Sequence, residues 1–231
     1  MILSLSGWGQ KADSLDFIFK DSAFDPFFVR NFDYTKFNSV NSFFDDFDNE
    51  KINPKIVIGW SLGGQLALRL IEKKIINPQL LILIAPPFQM VKDERIVAGM
   101  SQKNYEDFYK NFAVSPNKTL KQFAILTAMN DKNSKEIAKN LDINEDNFAN
   151  LEFWLKELKE FSCFDLDFSE TPRTLFLQGE QDMIVHKFQS DYFKQRIKNF
   201  RLEMFEKCGH APHLNDLERV RKLILEEINY Y

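Results

Sequence analysis

The chain has 231 residues, of which 44% are hydrophobic, 28% charged and 14% aromatic; that supplies a sizeable core and excludes a disordered chain. A net charge of −4 argues against a nucleic-acid binder, which would carry a basic field. Cys163 and Cys208 lack metal-ligand spacing, no apolar run reaches the length of a membrane span, and the N-terminus has no basic signal-peptide start. A soluble, cytoplasmic monomer with two buried thiols, no metal and no cofactor is the expectation.

Ile2 to Leu5 reads as a first strand running into Gly7-Trp8-Gly9. Phe27 to Phe32 is a second, Lys55 to Ile58 a third after Pro54, and Leu80 to Ala85 a fourth stopped by Pro86-Pro87. Thr174 to Gln178 and Leu202 to Phe205 are the fifth and sixth. Short apolar runs bounded by turn residues are the pattern of parallel strands buried on both faces. Leu62, Leu66, Leu70 and Ile71 recur at helical spacing, as do Phe188, Tyr192, Phe193 and Ile197, and then Leu217, Val220, Leu223, Ile224 and Ile228. Strands alternating with helices predict an α/β fold with a mostly parallel sheet of about six strands. Residues 88–168 carry helical apolar spacing and no convincing strand. They read as a helical insertion, leaving 1–87 and 169–231 as the core.

Gly59-Trp60-Ser61-Leu62-Gly63-Gly64 lies between a predicted strand and a predicted helix, the context that a G-x-S-x-G turn requires. Such a turn forces Ser61 into a strained backbone and lifts its hydroxyl above the sheet, with the Leu62 N–H beside it to meet an oxyanion. A serine hydroxyl needs a base. Of the three histidines, His210 follows the last strand, His213 falls in the next turn, and His186 follows the fifth strand. Ligands gather at the carboxyl ends of parallel strands, which favours His210. Asp182 follows the fifth strand and is the favoured acid, with Glu180 as the alternative. The chain order Ser61, Asp182, His210 is that of α/β-hydrolases. Trp8, in the loop after the first strand, would supply the second oxyanion N–H.

Ser6-Gly7-Trp8-Gly9, Gly59 through Gly64, Gly179 through Asp182 and Gly209-His210-Ala211-Pro212 together resemble the pimeloyl-acyl-carrier-protein methyl ester carboxylesterases of biotin synthesis, an α/β-hydrolase family. The resemblance runs over most of the chain, and Leu151 to Leu166 is similar to the family's segment between lid and fifth strand. Ser6 stands where many hydrolases have histidine, His186 stands where a proline often follows the acid loop, and the usual preceding hairpin is missing. The resemblance implies a Ser61–His210–Asp182 triad acting on a pimeloyl methyl ester borne by acyl-carrier protein, without cofactor. It also implies that residues 88–168 form a lid and that Trp60 and Phe123 contact substrate.

Acyl-carrier proteins are acidic, and between Lys110 and Lys139 six lysines face two acids. Lys118, Lys135 and Lys139 fall where the family has basic lid residues, Gln122 replaces one, and Lys121 could substitute. The apolar residues Phe88, Met90, Phe108, Phe112, Phe123 and Leu126 could line an acyl tunnel or simply form the insertion's core. Rival readings are a short-chain carboxylesterase or thioesterase on the same scaffold, or a non-catalytic ligand-binding protein.

Overall fold

A computed structural model describes residues 1–229. Six strands form one sheet: β1 (Ile2–Leu5), β2 (Val29–Asn31), β3 (Ile56–Trp60), β4 (Leu80–Ile84), β5 (Arg173–Gly179) and β6 (Phe200–Phe205). Their order is β2-β1-β3-β4-β5-β6, and every neighbouring pair is parallel. Strand alternation divides the core. Val57, Leu81, Leu83 and Phe176 face one layer, while Ile56, Ile58, Ile82, Ile84, Leu175 and Leu177 face the other. Because both faces are buried, the central strands read as continuous apolar runs.

The helices are α1 (Val40–Glu50), α2 (Leu62–Glu72), α3 (Gln102–Val114), α4 (Pro116–Thr127), α5 (Ser134–Asn140), α6 (Phe148–Glu160), α7 (Gln189–Lys194), α8 (Pro212–Asn215) and α9 (Leu217–Ile228). The first layer buries Phe43, Phe47, Leu66 and Leu70 from α1 and α2. The second buries Val220, Leu223 and Ile224 of α9 with Ile18 and Phe24 from two short 3-10 turns. Side-chain caps mark several starts: Ser39 accepts from Ser42 N–H at 3.0 Å, and Asp216 from Arg219 N–H at 3.1 Å.

Two local expectations are corrected. The second strand is confined to Val29–Asn31 at the sheet edge, because Phe24 is drawn into a 3-10 turn that closes on Phe27 N–H at 2.8 Å. The helix expected over Phe188 to Ile197 is limited to Gln189–Lys194. The helix α1 had no counterpart among the predicted elements; its core face is Phe43, Phe44 and Phe47. Between β4 and β5 the described residues hold α3 to α6 and no strand of the sheet, only isolated bridges such as Gln89 with Ser162 and Val91 with Met100. No helix among the described residues is long and apolar enough to cross a membrane.

Candidate active site

Ser61 joins β3 to α2 with φ 52° and ψ −117°, a conformation that costs a non-glycine residue on the order of 1–3 kcal/mol. The turn is over-determined. Ser61 N–H donates to Ile84 O at 2.8 Å, and Ser61 O accepts from Gly64 N–H at 3.0 Å. A Cβ on Gly63 would stand 2.1 Å from the Leu5 carbonyl oxygen, so only glycine lets α2 start this close to β1. Gly63→Ala should therefore lower stability by about 3 kcal/mol, read as a fall in melting temperature of roughly 10 °C.

Asp182 and His210 meet above the carboxyl ends of β5 and β6. His210 Nδ1 and Asp182 Oδ2 are 2.7 Å apart, both side chains buried. Asp182 Oδ1 accepts from the N–H groups of Ile184 at 2.8 Å and Val185 at 2.9 Å, and Oδ2 also accepts from Gln178 Nε2 at 3.1 Å. Every acceptor direction is engaged, which fixes the carboxylate and, through it, the imidazole. His210 Nε2 is buried and has no hydrogen-bond partner, so the Ser61 hydroxyl is not bonded to it in this state. Catalytic hydrogen bonds are often long before substrate binds.

The other candidates lie elsewhere. Glu180 is exposed and pairs with Lys187 at 3.3 Å. His186 is exposed beside Phe188. His213 is fully buried against Trp60, with ring centroids 4.6 Å apart and neither nitrogen partnered. Burial, with a smaller contribution from His210, pushes its pKa down to about 3, so it stays neutral.

The N–H groups of Trp8 and Leu62 are engaged in no turn, loop or cap bond among the described residues. The Trp8 loop is held without a histidine at Ser6. Tyr34 Oη donates to Gly7 O at 2.8 Å, Trp8 Nε1 to Leu151 O at 2.8 Å, and Asn144 N–H to Gly9 O at 2.9 Å. Burial, reinforced by Asp33, raises the Tyr34 phenol well above its ordinary value and keeps the donor proton in place. Tyr34 lies 27 residues from Gly7 and carries no sequence signal for this role. Gln178 has a faint one, being a lone polar residue at the end of an apolar strand.

A narrow slot of about 20 Å³ opens beside Ser61, walled by Trp8, Met90, Phe108, Phe123, Leu126 and Ile184. The Tyr105 hydroxyl on the same wall is occupied by Leu155 O at 2.9 Å. Phe108, Leu126 and Ile184 also line an outer cleft of about 650 Å³ that reaches Asp182 and His186, so slot and cleft are neighbours across these three side chains. Phe123 packs edge-on to Trp8 at 5.2 Å. Of the apolar insertion residues, Phe88 and Phe112 belong to the buried core instead. Phe88 packs on Phe164 and Phe193, and Phe112 on Trp8.

Trp60 is corrected. Strand alternation sends its side chain with Ile56 and Ile58 into the layer opposite the slot. It is 2% exposed, and its Nε1 donates to His210 O at 3.0 Å. It supports the base loop from beneath and lines neither the slot nor the outer cleft. Lys118 and Lys121 on α4, and Lys135 and Lys139 on α5, are all exposed.

The family model described as "Alpha/beta hydrolase family" matches residues 2–223. The chain belongs to the alpha/beta hydrolase family. Among curated proteins, this hydrolase is 28% identical over 184 residues to the "Biotin biosynthesis bifunctional protein BioHC" of Teredinibacter turnerae, covering 73% of this chain and 32% of that one. It is 29% identical over 165 residues to the "Pimeloyl-[acyl-carrier protein] methyl ester esterase" of Nitrosomonas europaea, covering 69% and 65% of the two chains. With the protein of the same name from Aromatoleum aromaticum it shares 29% identity over 180 residues, 73% and 72% of the chains. The hydrolase thus spans less than two thirds of the length of the first two relatives. An esterase from Exiguobacterium antarcticum superposes with a TM-score of 0.81 at 16% identity, covering 99% of this chain and 91% of that one, a likeness of fold.

Proposed function

We propose that this hydrolase is a serine carboxylesterase that cleaves the methyl ester of a pimeloyl group carried on acyl-carrier protein. The observation that carries the reading is the buried 2.7 Å Asp182–His210 pair, with Nε2 left open, in a fold whose strained turn presents Ser61. The Ser61 hydroxyl attacks the ester carbonyl while His210 Nε2 takes its proton. The oxyanion accepts from Trp8 N–H and Leu62 N–H. The tetrahedral adduct collapses, His210 protonates the departing methanol, and a water deprotonated by His210 cleaves the acyl-enzyme. Asp182 holds the imidazole tautomer and stabilises the imidazolium.

The apolar lining beside Ser61 and the larger cleft next to it support an aliphatic acyl group at Ser61 with the rest of a long substrate leading outward, once the side chains between them give way. The relatives' names supply the pimeloyl carrier substrate. Residues 88–168 act as a lid over this path, and their exposed lysines would meet an acidic carrier in the cytoplasm. The deciding experiment compares purified carrier-bound pimeloyl methyl ester with p-nitrophenyl butyrate, alongside fluorophosphonate labelling. Labelling at Ser61 and a marked preference for the carrier-bound ester support the reading. Labelling with no such preference leaves a general esterase, and no labelling at all leaves a ligand-binding protein.

Charge reversal of Lys135 and Lys139 tests the docking face. Rim charges act mainly on association and its salt dependence. The double Glu variant should lose about tenfold in kcat/KM toward the carrier-bound ester and keep its rate on p-nitrophenyl butyrate. An equal loss on both substrates would remove these lysines from the interface.

A further inference from the structure

The chain leaving α4 reaches both loops that carry the acid and the base. Thr127 O accepts the His210 N–H at 3.0 Å. Asn130, in a left-handed conformation at φ 73°, donates from Nδ2 to Gln181 O at 3.1 Å, one residue before Asp182. Asp131 is buried, and its Oδ1 accepts from Gly209 N–H at 3.0 Å and from Asn215 Nδ2 at 2.6 Å. Its Oδ2 is buried with no hydrogen-bond partner. The approach is close enough to dictate a residue: a Cβ on Gly209 would stand 2.6 Å from Met129 O, 2.8 Å from Thr127 O and 3.0 Å from Asp131 Oδ2.

A buried carboxylate is costly, and a peptide N–H and an amide are modest compensation. Burial accordingly raises the Asp131 carboxyl above its ordinary range despite those two donors and the neighbouring Cys208 thiol, with the Asp182 charge pushing the same way as burial. The contact it maintains is with the peptide adjoining the catalytic imidazole. On the other side, Trp60 Nε1 binds His210 O at 3.0 Å, so the His210 backbone is held at both ends of the residue.

We propose that Asp131 is a positioning residue for His210, and that the Thr127–Asp131 segment brackets base and acid together from the end of α4. Asp131 touches no reacting atom. It fixes the Gly209–His210 peptide, and hence where Nε2 stands relative to Ser61 and the leaving oxygen. α4 also carries Phe123 of the slot, so the same element that contacts the acyl path sets the base.

The inference rests on the esterase reading, and the test separates the two. Asp131→Ala removes the acceptor, and Asp131→Asn keeps one. A misplaced base costs on the order of tenfold to hundredfold in rate, so Asp131→Ala should lower kcat/KM for a methyl ester by that much. Methanol departs only if protonated, whereas p-nitrophenolate departs without a proton, so the p-nitrophenyl ester should lose about fivefold less. Asp131→Asn should recover to within about threefold of the parent on both. A merely structural role would depress both esters equally by reducing the folded fraction. Equal losses, no loss, or an Asn variant as impaired as the Ala variant would each overturn the proposal. The low-field NMR signal of the His210–Asp182 proton gives a reading without substrate: it should shift or broaden in Asp131→Ala and persist in Asp131→Asn. If the parent hydrolyses neither ester, the esterase reading fails, and that signal alone decides the bracket; an unchanged signal in Asp131→Ala then overturns it.

Discussion

Ser61→Ala should abolish ester hydrolysis, with a fall in kcat on the order of 10⁵- to 10⁶-fold, while the protein stays folded. Serine hydrolases that lose the nucleophile keep only what binding and the oxyanion donors contribute. Here the turn does not depend on the hydroxyl, because the bonds that set it are Ser61 N–H to Ile84 O and Ser61 O to the Gly64 N–H. Alanine retains a Cβ and so retains the backbone strain of φ 52°. Ser61→Gly should be equally inactive and more stable than the Ala variant by about 1 kcal/mol, since glycine occupies this region without steric penalty. Activity assay and thermal melting together check both halves. Residual activity above about 1% of the parent in Ser61→Ala would point to a different nucleophile. An Ala variant as stable as the Gly variant would show that the turn stores no strain.

The strands were legible because burial on both faces writes itself into composition: Ile56–Trp60 and Leu80–Ile84 have no charged residue, and Arg173–Gly179 keeps an apolar Leu175-Phe176-Leu177 centre. The edge strand was blurred, since Phe27 is apolar for a reason other than pairing, namely packing against the second core layer. The helix α1 was hidden by four acidic side chains on its outer faces, which mask a Phe43, Phe44, Phe47 stripe. At the site, a loop after a strand is a position that sequence can mark, and Asp182 and His210 stand on two such loops. Trp60 turns away from the slot because it keeps the strand alternation of Ile56 and Ile58 up to the turn, a placement that the resemblance alone did not carry. Tyr34 and Asp131 act through contacts made by folding, Asp131 reaching Gly209 across 78 residues, and no local pattern announces them, whereas Gln178, four residues from Asp182, is marked only by its polarity at the end of an apolar run.

Asp182→Asn should lower kcat by about 10⁴-fold near neutral pH, the size of effect seen when the acid of a serine-protease triad becomes an amide. The reason lies in the allocation of donors around this carboxylate. Oδ1 faces two peptide N–H groups, Ile184 at 2.8 Å and Val185 at 2.9 Å, and an asparagine would turn its oxygen toward them. Its Nδ2 would then occupy the Oδ2 position, facing His210 Nδ1 at 2.7 Å and the Gln178 amide nitrogen at 3.1 Å. A donor opposite Nδ1 requires that nitrogen to be the acceptor, which moves the imidazole proton to Nε2. The nitrogen that must take the Ser61 proton is then already protonated. Gln178 would also lose an acceptor, although Gly179 O at 3.2 Å and Val185 O at 3.3 Å remain for its amide. Stability should change by only about 1 kcal/mol, because both backbone bonds persist. Supplying an external base offers no rescue through the imidazole, because the amide keeps Nδ1 as the acceptor. A variant retaining more than about a tenth of the parent rate would assign the orienting role to another acid. Glu180, exposed and paired with Lys187, is the nearest such acid in sequence, and its removal should leave the rate unchanged.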